Sequence, residues 1–150
     1  YLLKESTGRP ITVVSEIGVR LPASLTSSGR AMLSHLSAAQ IRALFPNSHA
    51  FVDRTGKGPT NLAQLKELLA KERTQGYASE SGSVTLGHSS VAVAVFDHLG
   101  EPIAAINIVY RDSTINRSDQ QVLVDVVKDS ARDLTVRLGG RIPSSIKDRP

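Results

Sequence analysis

Two extended runs meeting at a tight turn constrain this chain more than any other feature. Val84 to Asp97 reads as a strand interrupted at Gly87, Asp97-His98-Leu99-Gly100-Glu101 as a hairpin turn, and Ile103 to Tyr110 as the returning strand. Apolar and small residues alternate through both arms, the period expected of a sheet with two distinct faces. The strongest helical pattern follows at once. Ser118 and Gln121 have the spacing of a capping box, and Leu123, Val126, Val127, Ser130, Ala131, Leu134 and Leu138 then recur at helical steps until Gly139-Gly140.

The first half supplies the rest of the architecture. Tyr1 to Ser6 and Ile11 to Ile17 are extended candidates around a Thr7-Gly8-Arg9-Pro10 turn. Thr26 to Leu36 reads as a short helix with a hydroxyl-rich start. Ser37-Ala38-Ala39-Gln40 is a capping box that predicts a helix over about Ala38 to Leu44, and Asn61 caps a third helix that stops at Gly76. Asn47 to Pro59 and Tyr77 to Gly82 read as connecting segments, and Ile142 to Pro150 as a loose tail. The order is two strands, three helices, a long hairpin and one helix. That predicts an α+β domain over residues 1–141, an antiparallel sheet flanked by helices, with residues 142–150 as the tail. The missing initial Met leads us to expect that the chain continues upstream of Tyr1.

Composition removes several classes of function. There is no cysteine among the 150 residues, so disulfides, thiolate metal sites and cysteine nucleophiles are excluded. His35, His49, His88 and His98 have no zinc-ligand spacing, and we expect no metal and no cofactor. The net charge is +4, but aromatics are only 4% and the basic residues are scattered, which does not describe a base-stacking platform. The run Val91 to Phe96 falls far short of the roughly 20 residues needed to cross a bilayer, and the N-terminus has no signal-peptide pattern, so no membrane role and a cytoplasmic location are expected.

Local motifs are modest. Gly87-His88-Ser89-Ser90-Val91 has the start of a nucleophile elbow but lacks its second glycine and a following helix. Gly56-Lys57-Gly58-Pro59-Thr60 lacks the Ser or Thr that should follow a phosphate-loop lysine. Asn107 alternates with Ala105 and Val109, so all three should share one sheet face, where a polar side chain needs a partner or a ligand. His88 is likewise polar in an apolar strand. Thr26-Ser27-Ser28-Gly29 is either a simple cap or an anion-binding helix start.

Several segments in order resemble the effector-binding domain of IclR-type regulators. Gly18-Val19-Arg20-Leu21-Pro22 with Thr26-Ser27-Ser28-Gly29-Arg30-Ala31-Met32-Leu33 is similar to the family pattern G-x-R-x-P-L-H-x-x-A-x-G-K-A-x-L. Leu62 to Lys71 with Arg73-Thr74-Gln75-Gly76-Tyr77-Ala78, then Val91 to Asp97, then Gly100 to Ile108, and the helix ending at Leu138-Gly139 continue the likeness over about Thr12 to Arg141. Pro22-Ala23-Ser24 replaces the usual "PLH", and Arg30 stands where the family has lysine.

The resemblance implies a GAF-like α+β domain that binds a small metabolite. It implies an upstream winged helix-turn-helix that binds DNA, and assembly into homodimers or homotetramers. It places the ligand pocket at Ser27 and Ser28, Glu80, His88 and Ser90, and Asn107 and Val109. The expected ligand is a small organic acid, larger or differently decorated than a two- or three-carbon keto-acid because Asn107 and Val109 stand where two serines are usual. No catalytic residue is expected. Two rival readings remain: a serine hydrolase using Ser89 or Ser90 with His88, and a ligand-free oligomerisation module.

Overall fold

The computed structural model describes residues 1–5 and 17–143. Four helices and three strands occur among them in the order α1 (Ser27–Leu33), α2 (Ala38–Leu44), α3 (Leu62–Gln75), β1 (Ala78–Ser81), β2 (His88–Phe96), β3 (Pro102–Arg111) and α4 (Arg117–Arg137). The strands form an antiparallel sheet in the order β1-β2-β3. This is the α+β architecture expected, an antiparallel sheet with helices on both sides.

Local chemistry accounts for most boundaries. Ser37 caps α2 through the full capping box, its hydroxyl taking the Gln40 N–H while the Gln40 side chain takes the Ser37 N–H. Asn61 caps α3, and Gly76 ends it at φ +75°, a left-handed cap that favours glycine. The hairpin turns where expected, with the Asp97 carboxylate accepting the N–H groups of Leu99 and Glu101.

Helix α4 departs from its expected register. Its cap is Asn116, which accepts the Asp119 N–H, and Ser118 donates to Asn116 instead of capping. The buried stripe is Val124, Val127, Ala131 and Thr135, while Val126 and Leu138 are exposed. Five of the six residues from Val122 to Val127 are apolar, so periodicity alone fits more than one face; packing on the sheet selects the one that puts Val127 and Ala131 inside. Strand β1 is a second departure, since its four mostly polar residues carry little strand signal and gain their conformation by pairing with β2. Residues 6–16, which include the expected Thr7-Gly8-Arg9-Pro10 turn and nearly all of the second extended run, and the tail from 144 onward lie outside the described residues. Tyr1–Glu5 form no strand, although the Tyr1 carbonyl accepts the Gly18 N–H at 3.0 Å and the Tyr1 amino group donates to the Val19 carbonyl at 3.1 Å.

The sheet separates two clusters. Val91, Tyr110, Val124 and Val127 pack between sheet and α4. Ala31 of α1 packs with Ala78, Ala92, Ala94 and Phe96 on the other side. A third cluster, of Leu33, Ile41, Phe45, Leu65 and Leu69, joins α1, α2 and α3. No described helix is long and apolar enough to cross a membrane.

Candidate functional site

Strand register decides which side chains share the α1-facing side. Glu80 pairs with Ser90 and Ser90 with Val109, forming one row across all three strands. The next row is Ala78, Ala92 and Asn107. His88 lies one pleat beyond Ser90 on the same face, opposite Arg111.

Helix α1 is pressed close against this face. Thr26 caps it by accepting the Gly29 N–H at 3.0 Å. A Cβ at Gly29 would collide with the Ala23 backbone, so only glycine lets the preceding turn approach this closely. The Ser27 hydroxyl then reaches the Ser90 hydroxyl at 2.7 Å, and Ser90 donates to Glu80 Oε1 at 3.0 Å. A hydroxyl has one proton. With the Ser90 proton given to Glu80, Ser27 must be the donor of the first bond. Glu80 Oε2 accepts the Ser83 N–H at 3.0 Å. Burial pushes the Glu80 carboxyl above its ordinary value, against the opposing pull of the Ser83 and Ser90 bonds and the Arg30 charge.

Arg30 fixes the geometry. It is only 2% exposed. Its Nε donates to both Glu72 oxygens at 2.9 and 3.2 Å, its Nη1 to the carbonyls of Ser24 and Leu25, and its Nη2 to the Ser79 carbonyl. One guanidinium thus ties α3, the turn before α1 and strand β1 together beside the Ser27–Ser90–Glu80 chain. Burial pushes the Glu72 carboxyl up, and Arg30 pulls it back.

The seven residues named from sequence divide into two groups. Ser27, Ser90 and Glu80 are brought into one hydrogen-bonded chain. Ser28, His88, Asn107 and Val109 are half-buried on or beside the same face, and among the described residues no hydrogen bond satisfies the Asn107 amide or the Ser28 hydroxyl. His88 Nδ1 lies 3.2 Å from the Leu86 carbonyl, while its Nε2 is buried without a partner. Ser90 and His88 are therefore not joined as a nucleophile and its base. Among the described residues no cluster of His, Asp and Glu could hold a metal ion.

Glu72 and Tyr1 were missed from sequence. Glu72 falls on the same α3 stripe as Leu65 and Leu69, and a charge on a buried stripe signals a buried partner. Tyr1 carries no such signal; burial and, less, the Glu80 charge push its phenol up. A separate cleft of about 210 Å³ opens between α1, α2 and α3, lined by Leu33, Leu36, Ile41 and Leu69 with Lys66 and Arg73. None of the seven residues lines it.

Comparison with known proteins agrees with this fold. The family model described as the bacterial transcriptional regulator IclR C-terminal domain matches residues 1–136. The acetate operon repressor of Salmonella typhimurium is 32% identical over 126 residues, covering 83% of this chain and 45% of that protein. The Pca regulon regulatory protein of Pseudomonas putida is 28% identical over 144 residues, covering 93% and 48%. The crystal structure of the Agobacterium tumefaciens repressor BlcR superposes with a TM-score of 0.79 at 30% identity, over 84% of this chain and 51% of that one. This chain thus spans about half the length of the relatives it matches. It belongs to the IclR family of bacterial transcriptional regulators, as their C-terminal domain.

Proposed function

We propose that this chain is the sensing half of an IclR-type regulator, binding a small organic acid on the α1-facing side of the sheet among Ser27, Ser28, Glu80, His88, Ser90, Asn107 and Val109. Residues 1–141 form the sensing domain and 142–150 a tail. The remainder of the protein contributes a winged helix-turn-helix, as the relatives' titles as repressors and regulators fit. Ligand acts by preferring one of two arrangements of subunits in a homodimer or homotetramer, because only differential affinity can shift such an equilibrium. The domain is not an enzyme, needs no cofactor, and works in the cytoplasm, where its DNA lies.

One observation carries this reading. Asn107, set in an otherwise apolar strand, has no hydrogen-bond partner for its amide among the described residues, one row from a partly buried carboxylate. Such an amide is open enough to pair with a ligand and sits where an apolar side chain would otherwise be expected. The test is thermal denaturation against carboxylic acids from two-carbon keto-acids to aromatic acids. A saturable rise in Tm is expected, by RT ln(1 + [L]/Kd), lost in Asn107→Leu and Ser28→Leu. A flat panel, or a rise unchanged in both variants, would remove the assignment.

A further inference from the structure

We propose that Glu80 selects an effector bearing a hydrogen-bond donor, a hydroxyl or amino group, next to its carboxylate, so that 2-hydroxy or 2-amino acids bind and the matching 2-oxo acids are rejected. This rests on the sensing reading above and adds the chemical class of its ligand.

The argument follows protons along the chain of hydroxyls. Ser27 gives its proton to Ser90, and Ser90 gives its own to Glu80 Oε1. Both hydroxyl protons are therefore consumed internally, and Oε2 is turned to the Ser83 N–H. What this corner still offers to a ligand is the unused lone pairs of a carboxylate, which are acceptors. A keto oxygen or a ligand carboxylate placed here would set acceptor against acceptor.

No ion pair with a cation of the described residues relieves that conflict. Among the described residues none is ion-paired with Glu80. Arg30, whose charge Glu80 feels, has its guanidinium engaged by Glu72 and by the carbonyls of Ser24, Leu25 and Ser79. A donor does exist one row away, in the Asn107 amide. The two ends of the face are thus complementary to the two ends of a hydroxy or amino acid: its O–H or N–H toward Glu80, its carboxylate toward the Asn107 amide. Val109, beside Ser90 in the same row, adds an apolar wall for the skeleton.

Calorimetric titration of the 150-residue chain with matched pairs tests this: lactate against pyruvate, 3-phenyllactate against phenylpyruvate, with phenylalanine as the amino analogue. The donor-bearing member of at least one pair should bind about 10- to 100-fold tighter, the range for a hydrogen bond to a charged group. Glu80→Gln, whose amide can also donate, should bring the pair within about threefold of each other. An oxo acid that binds as tightly as its hydroxy partner overturns the proposal and leaves the sensing reading intact. So does any saturable effector without an O–H or N–H donor. No binding by either pair and no response in the acid panel overturns both. Should Glu80→Gln fail to fold, the wild-type pairs alone decide.

Discussion

On the side of the sheet that meets α4, Val91, Val124 and Val127 are at most 1% exposed, and the neighbours packed around them are aliphatic or aromatic. On the side that meets α1, the same strands present Glu80, Ser90 and Asn107, and α1 answers with Ser27 and Arg30. The difference lies in how each side is stabilised. The α4 side rests on burial, roughly 1.5–3 kcal/mol for each fully buried aliphatic side chain, and tolerates changes that keep volume. The α1 side rests on satisfied hydrogen bonds, which contribute little net stability while intact and cost much when half broken. A face built the second way holds its helix in one position and leaves polar groups available to a ligand. The α4 side is the scaffold; the α1 side carries the polar groups to which the proposal assigns ligand selection.

Substitutions can break or sharpen that contrast. The largest effect should come from Glu72→Ala, which leaves the Arg30 guanidinium charged and unpaired at 2% exposure. A loss of about 3–5 kcal/mol in urea denaturation is expected, with ligand response lost as Ser27 comes free of Ser90. A loss below about 1 kcal/mol would mean the clamp is not needed. Next is an exchange across the sheet. Val91→Asn puts an amide where nothing can bond it and should cost about 2–3 kcal/mol. Asn107→Val, on the other face, should change stability by less than about 1 kcal/mol, in the stabilising direction, while abolishing ligand binding. Equal costs for the two would erase the distinction between faces.

The smallest effect is a pH dependence. The folded state raises the Glu80 pKa above its ordinary 4.5, so it binds the proton more tightly than the unfolded chain does. The carboxylate therefore detracts from stability above the raised pKa, and that penalty fades as pH falls towards 4.5. Glu80→Gln should melt slightly higher than wild type above that window, and the gain should vanish below it. A gain that grows on acidification would reverse the sign.

How much of this was legible in the chain depended on range. Caps and turns are decided by neighbours within a few residues, and the α2 capping box, the Asn61 cap, the Gly76 stop and the Asp97 turn all read correctly. The shared face of Ala105, Asn107 and Val109 also followed from strand alternation. The buried face of α4 did not, because an apolar run surrounds the helix and only the sheet selects among its stripes. Strand β1 escaped because Ser79, Glu80 and Ser81 carry no apolar pattern of their own. The Arg30–Glu72 pair joins residues 42 positions apart, and Tyr1 reaches Glu80 only through the fold. The family resemblance named the proposed site residues; the hydroxyl chain among three of them required coordinates.

Methyl-resolved NMR titration with the best-stabilising acid tests the central claim most directly, because successive residues of one strand lie on opposite faces. The account predicts shifts at Ala92, Ala94, Ala105 and Val109, with Val91, Ile106, Ile108 and Val127 nearly still. Shifts concentrated on the α4 side, or at Leu33, Ile41 and Leu69 in the helical cleft, would place the ligand elsewhere and contradict it.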